Sequence, residues 1–155
     1  MDADLRKPSI HEIFDIENTA GLSSVIIEGK DFREYIRNVD WAKGLDILTA
    51  GPRSPNSAEL IMSKNFTDFL MRASAEYDYV IVDTSPIGVV PEVHAIFKLA
   101  NYPVYVFSSG FSDKWCVLYY LKFQKVTGKT LGIIINNIKE KSIGKGYGYY
   151  RGYGY

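Results

Sequence analysis

Four apolar runs bounded by turn residues, separated by segments with helix start and stop signals, predict an α/β fold with a mostly parallel sheet and helices on both faces. The runs are Leu45–Ala50, Tyr79–Val82, Val104–Phe107 and Leu131–Ile135, each reading as a strand buried on both faces. After the first run, Asn56 and Glu59 stand at capping-box spacing ahead of Leu60, Ile61, Phe66, Phe69, Leu70 and Ala73, which predicts one helix over about 57–76. After the second, Pro91 suits the first turn of a helix that reaches about Ala100. After the third, Asp113 as N-cap and Gly128 as C-cap frame a helix that ends near Thr127. Sheets joined by right-handed crossovers carry their chemistry at the carboxyl ends of the strands. Attention therefore falls on Gly51–Asn56, Asp83–Pro86, Ser108–Asp113 and Asn136.

The 155 residues carry 18 Lys plus Arg against 18 Asp plus Glu, with 46% hydrophobic and 23% charged residues, an ordinary composition for one globular domain. No run approaches the roughly 18 apolar residues of a membrane span, and Met1–Lys7 is charged where a secretory signal would be apolar. Cys116 is the single cysteine, so an internal disulfide and a thiolate metal cluster are both excluded, and a reducing, cytoplasmic compartment is expected. The zero net charge is sorted along the chain. Residues 1–113 hold 17 acidic and 10 basic side chains, whereas residues 114–155 hold 1 and 8. The two portions are expected to attract each other or oppositely charged partners.

Two acidic features could carry chemistry. Val80-Ile81-Val82-Asp83 is an apolar strand with a carboxylate at its tip, the arrangement of a Walker B magnesium site. Asp2 and Asp4 lie two residues apart, so in an extended chain they face the same side, where they could serve Mg²⁺ and a general base. The bland alternatives stay open at this level: a strand-tip aspartate also caps loops, and a bare Asp-x-Asp also reads as a solvated, frayed end. His11 and His94 have no Cys or His neighbours at ligand spacing and read as surface or packing residues. Trp41, Phe111, Trp115, Met62 and Met71 read as core or interface. Residues 144–155 contain only 5 Gly, 5 Tyr, Lys145 and Arg151, a composition that forms no core and reads as a flexible tail displaying tyrosine hydroxyls.

The segment Asp2-Ala3-Asp4-Leu5-Arg6-Lys7-Pro8-Ser9-Ile10-His11 resembles the Walker A′ segment of the bacterial tyrosine autokinases, the BY-kinases of capsule and exopolysaccharide systems. Further family signatures are resembled in order by Gly21-Leu22-Ser23, Leu48–Pro52, Pro55–Leu60, Tyr77–Pro86 and Gly132–Asn136, and the tyrosine-rich tail completes the match. The resemblance implies a P-loop NTPase-like fold with deviant Walker motifs, related to the MinD and ParA ATPases. It also implies transfer of the γ-phosphate of ATP, with Mg²⁺, to tail tyrosines. By the same resemblance Asp83 is the Walker B aspartate, Asp2 and Asp4 are the paired A′ aspartates serving magnesium and the incoming phenol, and Arg6 and Asn136 are nucleotide-binding positions. Tyr147, Tyr149, Tyr150, Tyr153 and Tyr155 resemble the acceptor cluster. Homo-oligomers, a transmembrane activator of polysaccharide export, location at the inner face of the membrane and no role for nucleic acid are likewise implied.

Departures from the family pattern shape the expectation. The phosphate-binding loop belongs upstream of the A′ segment, where only Met1 precedes Asp2, and no G-x-x-x-x-G-K-[ST] run occurs. Gly128-Lys129-Thr130 mimics its end but follows a helix, with Phe123 at the first glycine position, and reads as a helix C-cap. Val90-Pro91-Glu92 replaces the family's Thr-Asp pair. The expectation is a kinase portion from A′ onward over 1–142 with a tail over 143–155, incomplete at its amino terminus and inactive alone without its P-loop half or an intact kinase. The alternatives are a non-catalytic phosphoacceptor modified in trans and a fragment of a MinD/ParA-like ATPase.

Overall fold

The computed structural model describes residues 1–86, 92–110, 112, 114–129 and 132–138, and the chain divides into two compact units, Met1–Leu99 and the residues from Ala100 onward.

In the first unit the short helices α1 (Ile10–Phe14) and α2 (Leu22–Glu28) precede a 3₁₀ turn at Phe32–Tyr35 and the strands β1 (Arg37–Asn38) and β2 (Asp46–Ile47). They are followed by α3 (Ser57–Ile61), α4 (Lys64–Glu76) and α5 (Glu92–Leu99). The expected strand over Leu45–Ala50 is realised only as β2, antiparallel to β1. Just beyond β2 the Asp2 N–H donates to Leu48 O at 3.0 Å. Tyr79–Val82 forms no strand of its own. Instead Asp83 makes a parallel bridge with Asp2, through Ala3 N to Asp83 O at 2.8 Å and Asp83 N to Met1 O at 3.0 Å. Burial on both faces fails here too, since Tyr79 is 84% and Ile81 77% exposed.

The predicted helix over 57–76 is two helices. Ser63 interrupts it: its hydroxyl accepts from the Phe66 N–H at 3.2 Å and donates to Leu60 O, so it caps α4 as a new start. Asn56 sits at the N-cap of α3 without a side-chain capping bond, so the expected capping box is not made. The core gathers Leu5, Leu22, Ile26, Phe32, Phe66 and Phe69, with Phe32 edge-on to Phe69 at 5.5 Å. Trp41, Met62 and Met71 are exposed rather than core, with Trp41 stacked on Phe14. His11 is part-buried and its Nδ1 has no hydrogen-bond partner.

In the second unit β3 (Val104–Ser108) and β4 (Gly132–Asn136) pair in parallel, with α6 (Lys114–Thr127) between them in the chain, the strand–helix–strand unit that the alternation predicts. Gly128, at φ +65°, closes α6 with its N–H on Gln124 O, as a C-cap glycine does. Lys129 Nζ donates to Ala100 O at 2.6 Å, a structural tie that fits the reading of this triplet as a helix end. The strands are not buried on both faces: Val104, Val106, Ile133, Ile134 and Ile135 each keep about half their surface in solvent. Two strands and one described helix cannot cover both sides of a sheet. Trp115 is exposed as well. The N-cap Asp113, the helix-starting Pro91, Phe111 and Leu131 lie outside the described residues.

Candidate active site: two aspartate segments side by side

The backbone bridge between Asp2 and Asp83 brings together two carboxylate segments that stand 81 positions apart in the chain. Asp2 is fully buried, which a carboxylate tolerates only when its charge is met by donors. Three backbone N–H groups meet it: Asp4 N on Oδ1, and Ser9 N and Ile10 N on Oδ2, each at 3.0 Å. Ser9 and Ile10 begin α1, so Asp2 both folds the loop over residues 4–9 and supplies the acceptor that the α1 N-terminus lacks locally. Asp4 repeats the device one turn on, its Oδ1 accepting from Arg6 N at 3.2 Å and Lys7 N at 3.0 Å. The loop therefore owes its shape to its own aspartates.

Asp83 is the carboxylate whose environment disfavours charge. Partial burial, then the neighbouring charges of Asp2 and Asp4, raise its pKa above the usual carboxylate value, opposed by the terminal ammonium and by the Thr84 N–H. A divalent cation would relieve that repulsion. Among the described residues no three Asp, Glu, His or Cys side chains converge into a cage. Mg²⁺, however, keeps several waters and takes one or two carboxylates beside substrate phosphates, so the arrangement fits it. Asp83 is the least committed of the three, with no backbone N–H among the described residues beyond that of Thr84 on its carboxylate.

Arg6 leaves the same loop and places its Nε 2.8 Å from Oε1 of Glu92, the first residue of α5. Glu92 is 4% exposed, and its Oε2 is buried without a partner. The other predicted nucleotide position, Asn136, ends β4 in the second unit, where its Oδ1 accepts from Asn137 N. Tyr147, Tyr149, Tyr150, Tyr153 and Tyr155 lie outside the described residues.

Asn18 carries no motif in the sequence yet clamps the Gly51 peptide, donating through Nδ2 to its carbonyl at 2.9 Å and accepting its N–H at 2.8 Å. Gly21 closes on the same loop so tightly that a Cβ would lie 2.3 Å from Thr49 O. The Gly21-Leu22-Ser23 and Leu48–Pro52 signatures are thus one backbone junction. Two clefts are described nearby, one among Phe32, Phe69, Tyr77 and Ile81 and one among Ser23, Pro52 and Arg53. Neither is lined by Asp2, Asp4 or Asp83.

No protein-family model matches the chain. Solved structures that it does resemble are tyrosine-kinase domains. The kinase domain of Escherichia coli tyrosine kinase ETK superposes with a TM-score of 0.82 at 29% identity, over 96% of this chain and 58% of that one. The VpsO kinase domain gives 0.81 at 26% identity, over 89% and 68%. Among curated proteins, tyrosine-protein kinase YwqD of Bacillus subtilis is 39% identical over 151 residues, 97% of this chain and 63% of its own. Tyrosine-protein kinase CpsD of Streptococcus pneumoniae is 30% identical over 158 aligned positions, 99% of this chain and 69% of its own. The chain belongs to the bacterial tyrosine-kinase family, the BY-kinases, and spans less than two thirds of the length of YwqD.

Proposed function

We propose that these residues form the A′ and B carboxylate portion of a Mg-ATP-dependent protein-tyrosine autokinase that serves capsule or exopolysaccharide synthesis. The carrying observation is the Asp2–Asp83 bridge, which sets the two acidic segments side by side. Asp83 holds Mg²⁺ directly or through water, with Asp2 lending charge and fixing the loop. Bound Mg²⁺ would neutralise phosphate charge during transfer. Asp4 faces the incoming phenol and takes its proton. Because a tyrosine hydroxyl titrates near 10 in solution, positioning of the phenol matters more than a strong base. Arg6 and Asn136 are the nucleotide-facing positions, and Tyr147, Tyr149, Tyr150, Tyr153 and Tyr155 are the acceptors.

The 155 residues contain no G-x-x-x-x-G-K-[ST] run. The amides, lysine and hydroxyl that cradle ATP phosphates then come from outside them, from a further segment or from another kinase subunit. A homo-oligomer at the inner membrane face, held by a transmembrane activator, supplies that setting. The same observation favours a second reading, in which the chain is a phosphoacceptor modified in trans.

Mass spectrometry of tyrosine phosphate after incubation with Mg-ATP tests both. The expected result is no phosphate with the chain alone and phosphate on the tail when a P-loop-bearing relative is added. Phosphate that then needs Asp83 of this chain, lost in Asp83→Asn, supports a catalytic contribution, whereas phosphate indifferent to that change supports the acceptor reading. Phosphate on the chain alone would overturn the requirement for an outside loop.

A further inference from the structure

Glu92 is an unusual group to bury. It is 4% exposed at the start of α5, one oxygen bonds Arg6 Nε, and the other has no partner. A buried carboxylate held by a single cation is costly unless that cation stays in place. Arg6 is therefore held away from the alternative anions in its own neighbourhood. The arm starts beside one of those anions, since the Arg6 backbone N–H is bonded to Asp4 Oδ1, and Asp2 and Asp4 act electrostatically on Asp83. A guanidinium on a flexible stem rooted in that loop would otherwise be free to fold onto its carboxylates and compete with a divalent cation. Burial at one end and the short directed Nε bond at the other fix the arm instead.

We propose that Glu92 is a positioning residue that sequesters Arg6, keeping its guanidinium off Asp4 and Asp83 so that a divalent cation can occupy the carboxylate site. The inference rests on the reading of Asp83 as the cation ligand. It concerns where Arg6 is held, not merely the charge that Glu92 contributes. Those two ideas separate experimentally, because a plain field effect needs only a negative charge near position 92, whereas sequestration needs a carboxylate that reaches Nε.

The test is Mn²⁺ binding to the full chain, read by the loss of free-Mn²⁺ electron paramagnetic resonance signal, with thermal unfolding as the check on folding. Wild type is expected to bind and Asp83→Asn to lose binding. Glu92→Asp keeps the charge but shortens the arm, and is expected to weaken Mn²⁺ affinity about fivefold. Glu92→Gln is expected to weaken it at least as much. In an Arg6→Gln background the same changes at position 92 are expected to alter affinity less than about twofold, since nothing remains to be sequestered. Full affinity in Glu92→Asp, or an equal loss in both backgrounds, overturns the inference while leaving Asp83 as ligand. Absence of Asp83-dependent binding in wild type overturns the ligand reading and this inference with it. Arg6→Gln/Glu92→Gln, which removes both charges together, supplies a folded comparison if Glu92→Asp does not fold.

Discussion

The two units use similar apolar residues to opposite effect. In Met1–Leu99, Leu5, Leu22, Ile26, Ile61, Phe32, Phe66 and Phe69 are all sealed from solvent, and the carboxylate loop is bonded into that body at every turn. In the second unit, Val104, Val106 and Ile133–Ile135 stay about half exposed. What packs there is an aromatic group, Tyr105 stacked on Phe107 at 4.7 Å with Tyr120 edge-on to both. An apolar run states what a segment can bury. Whether it does so depends on how many layers surround it, and the second unit's described strands have one helix between them in the chain. The candidate cation site therefore stands on the body whose own core is closed.

The largest expected difference between the units comes from adding one methyl group. Gly21→Ala drives a Cβ to 2.3 Å from Thr49 O and 2.6 Å from Gly51 N, both backbone atoms that cannot step aside. We expect a loss of about 4 kcal/mol or more, or failure to fold. Gly132→Ala in β4 meets nothing nearer than Val104 Cγ2 at 3.4 Å, and is expected to change stability by less than about 0.5 kcal/mol. Urea midpoints of the two variants measure the contrast, and equal midpoints would dissolve it.

Core truncation sharpens the same comparison at somewhat smaller size. Phe66→Ala removes a fully buried ring from the first unit and should cost about 3–5 kcal/mol. Ile134→Ala in β4 removes a side chain already half in solvent and should cost about 1 kcal/mol. An Ile134→Ala loss as large as that of Phe66→Ala would show that the β4 face is covered in solution.

Much of this was legible in the chain, for identifiable reasons. The helix ends that rest on one residue's backbone preference were readable, as Gly128 shows. The Asp2 and Asp83 segments stood out by residue type, but residue types alone left a loop cap and a frayed end open, and only the family resemblance set the two together as the bridge does. The break at Ser63 was not readable, since a serine inside an apolar period carries no signal until its hydroxyl is seen to cap Phe66. Nor was the clamp on Gly51, because Asn18 acts 33 residues away in sequence. Neither was the Arg6–Glu92 tie, which joins positions 86 residues apart. Ser63→Ala tests the local case: losing the cap of α4 is expected to cost about 1 kcal/mol, measurable as a shift in the urea midpoint. No shift would mean that α3 and α4 hold their junction without it.

The smallest expected effect is a pH dependence confined to the first unit. Tyr77 donates to Asp46 Oδ2 at 2.6 Å, and burial, then that carboxylate, push its pKa up to about 12 from 10.0. The neutral phenol is the form that the fold favours. Its contribution is therefore full below the unfolded value near 10 and is lost as pH rises through about 12. Tyr77 is only partly buried, so solvent screening reduces the effect below what the shift alone suggests. Stability of the wild type relative to Tyr77→Phe should be constant from neutral pH to about 10 and fall between there and about 12. Asp83 has the same sense in a lower pH range, since its folded pKa is raised too. Its raised pKa means that ionisation opposes folding, so acidification through its folded pKa relieves strain in the carboxylate cluster. Denaturant midpoints of wild type, Tyr77→Phe and Asp83→Asn across both pH ranges separate the two: alkaline loss should vanish only in Tyr77→Phe, and the acid-side gain only in Asp83→Asn. If both variants followed the wild-type curve at both ends, neither group would be coupled to the folding of the first unit.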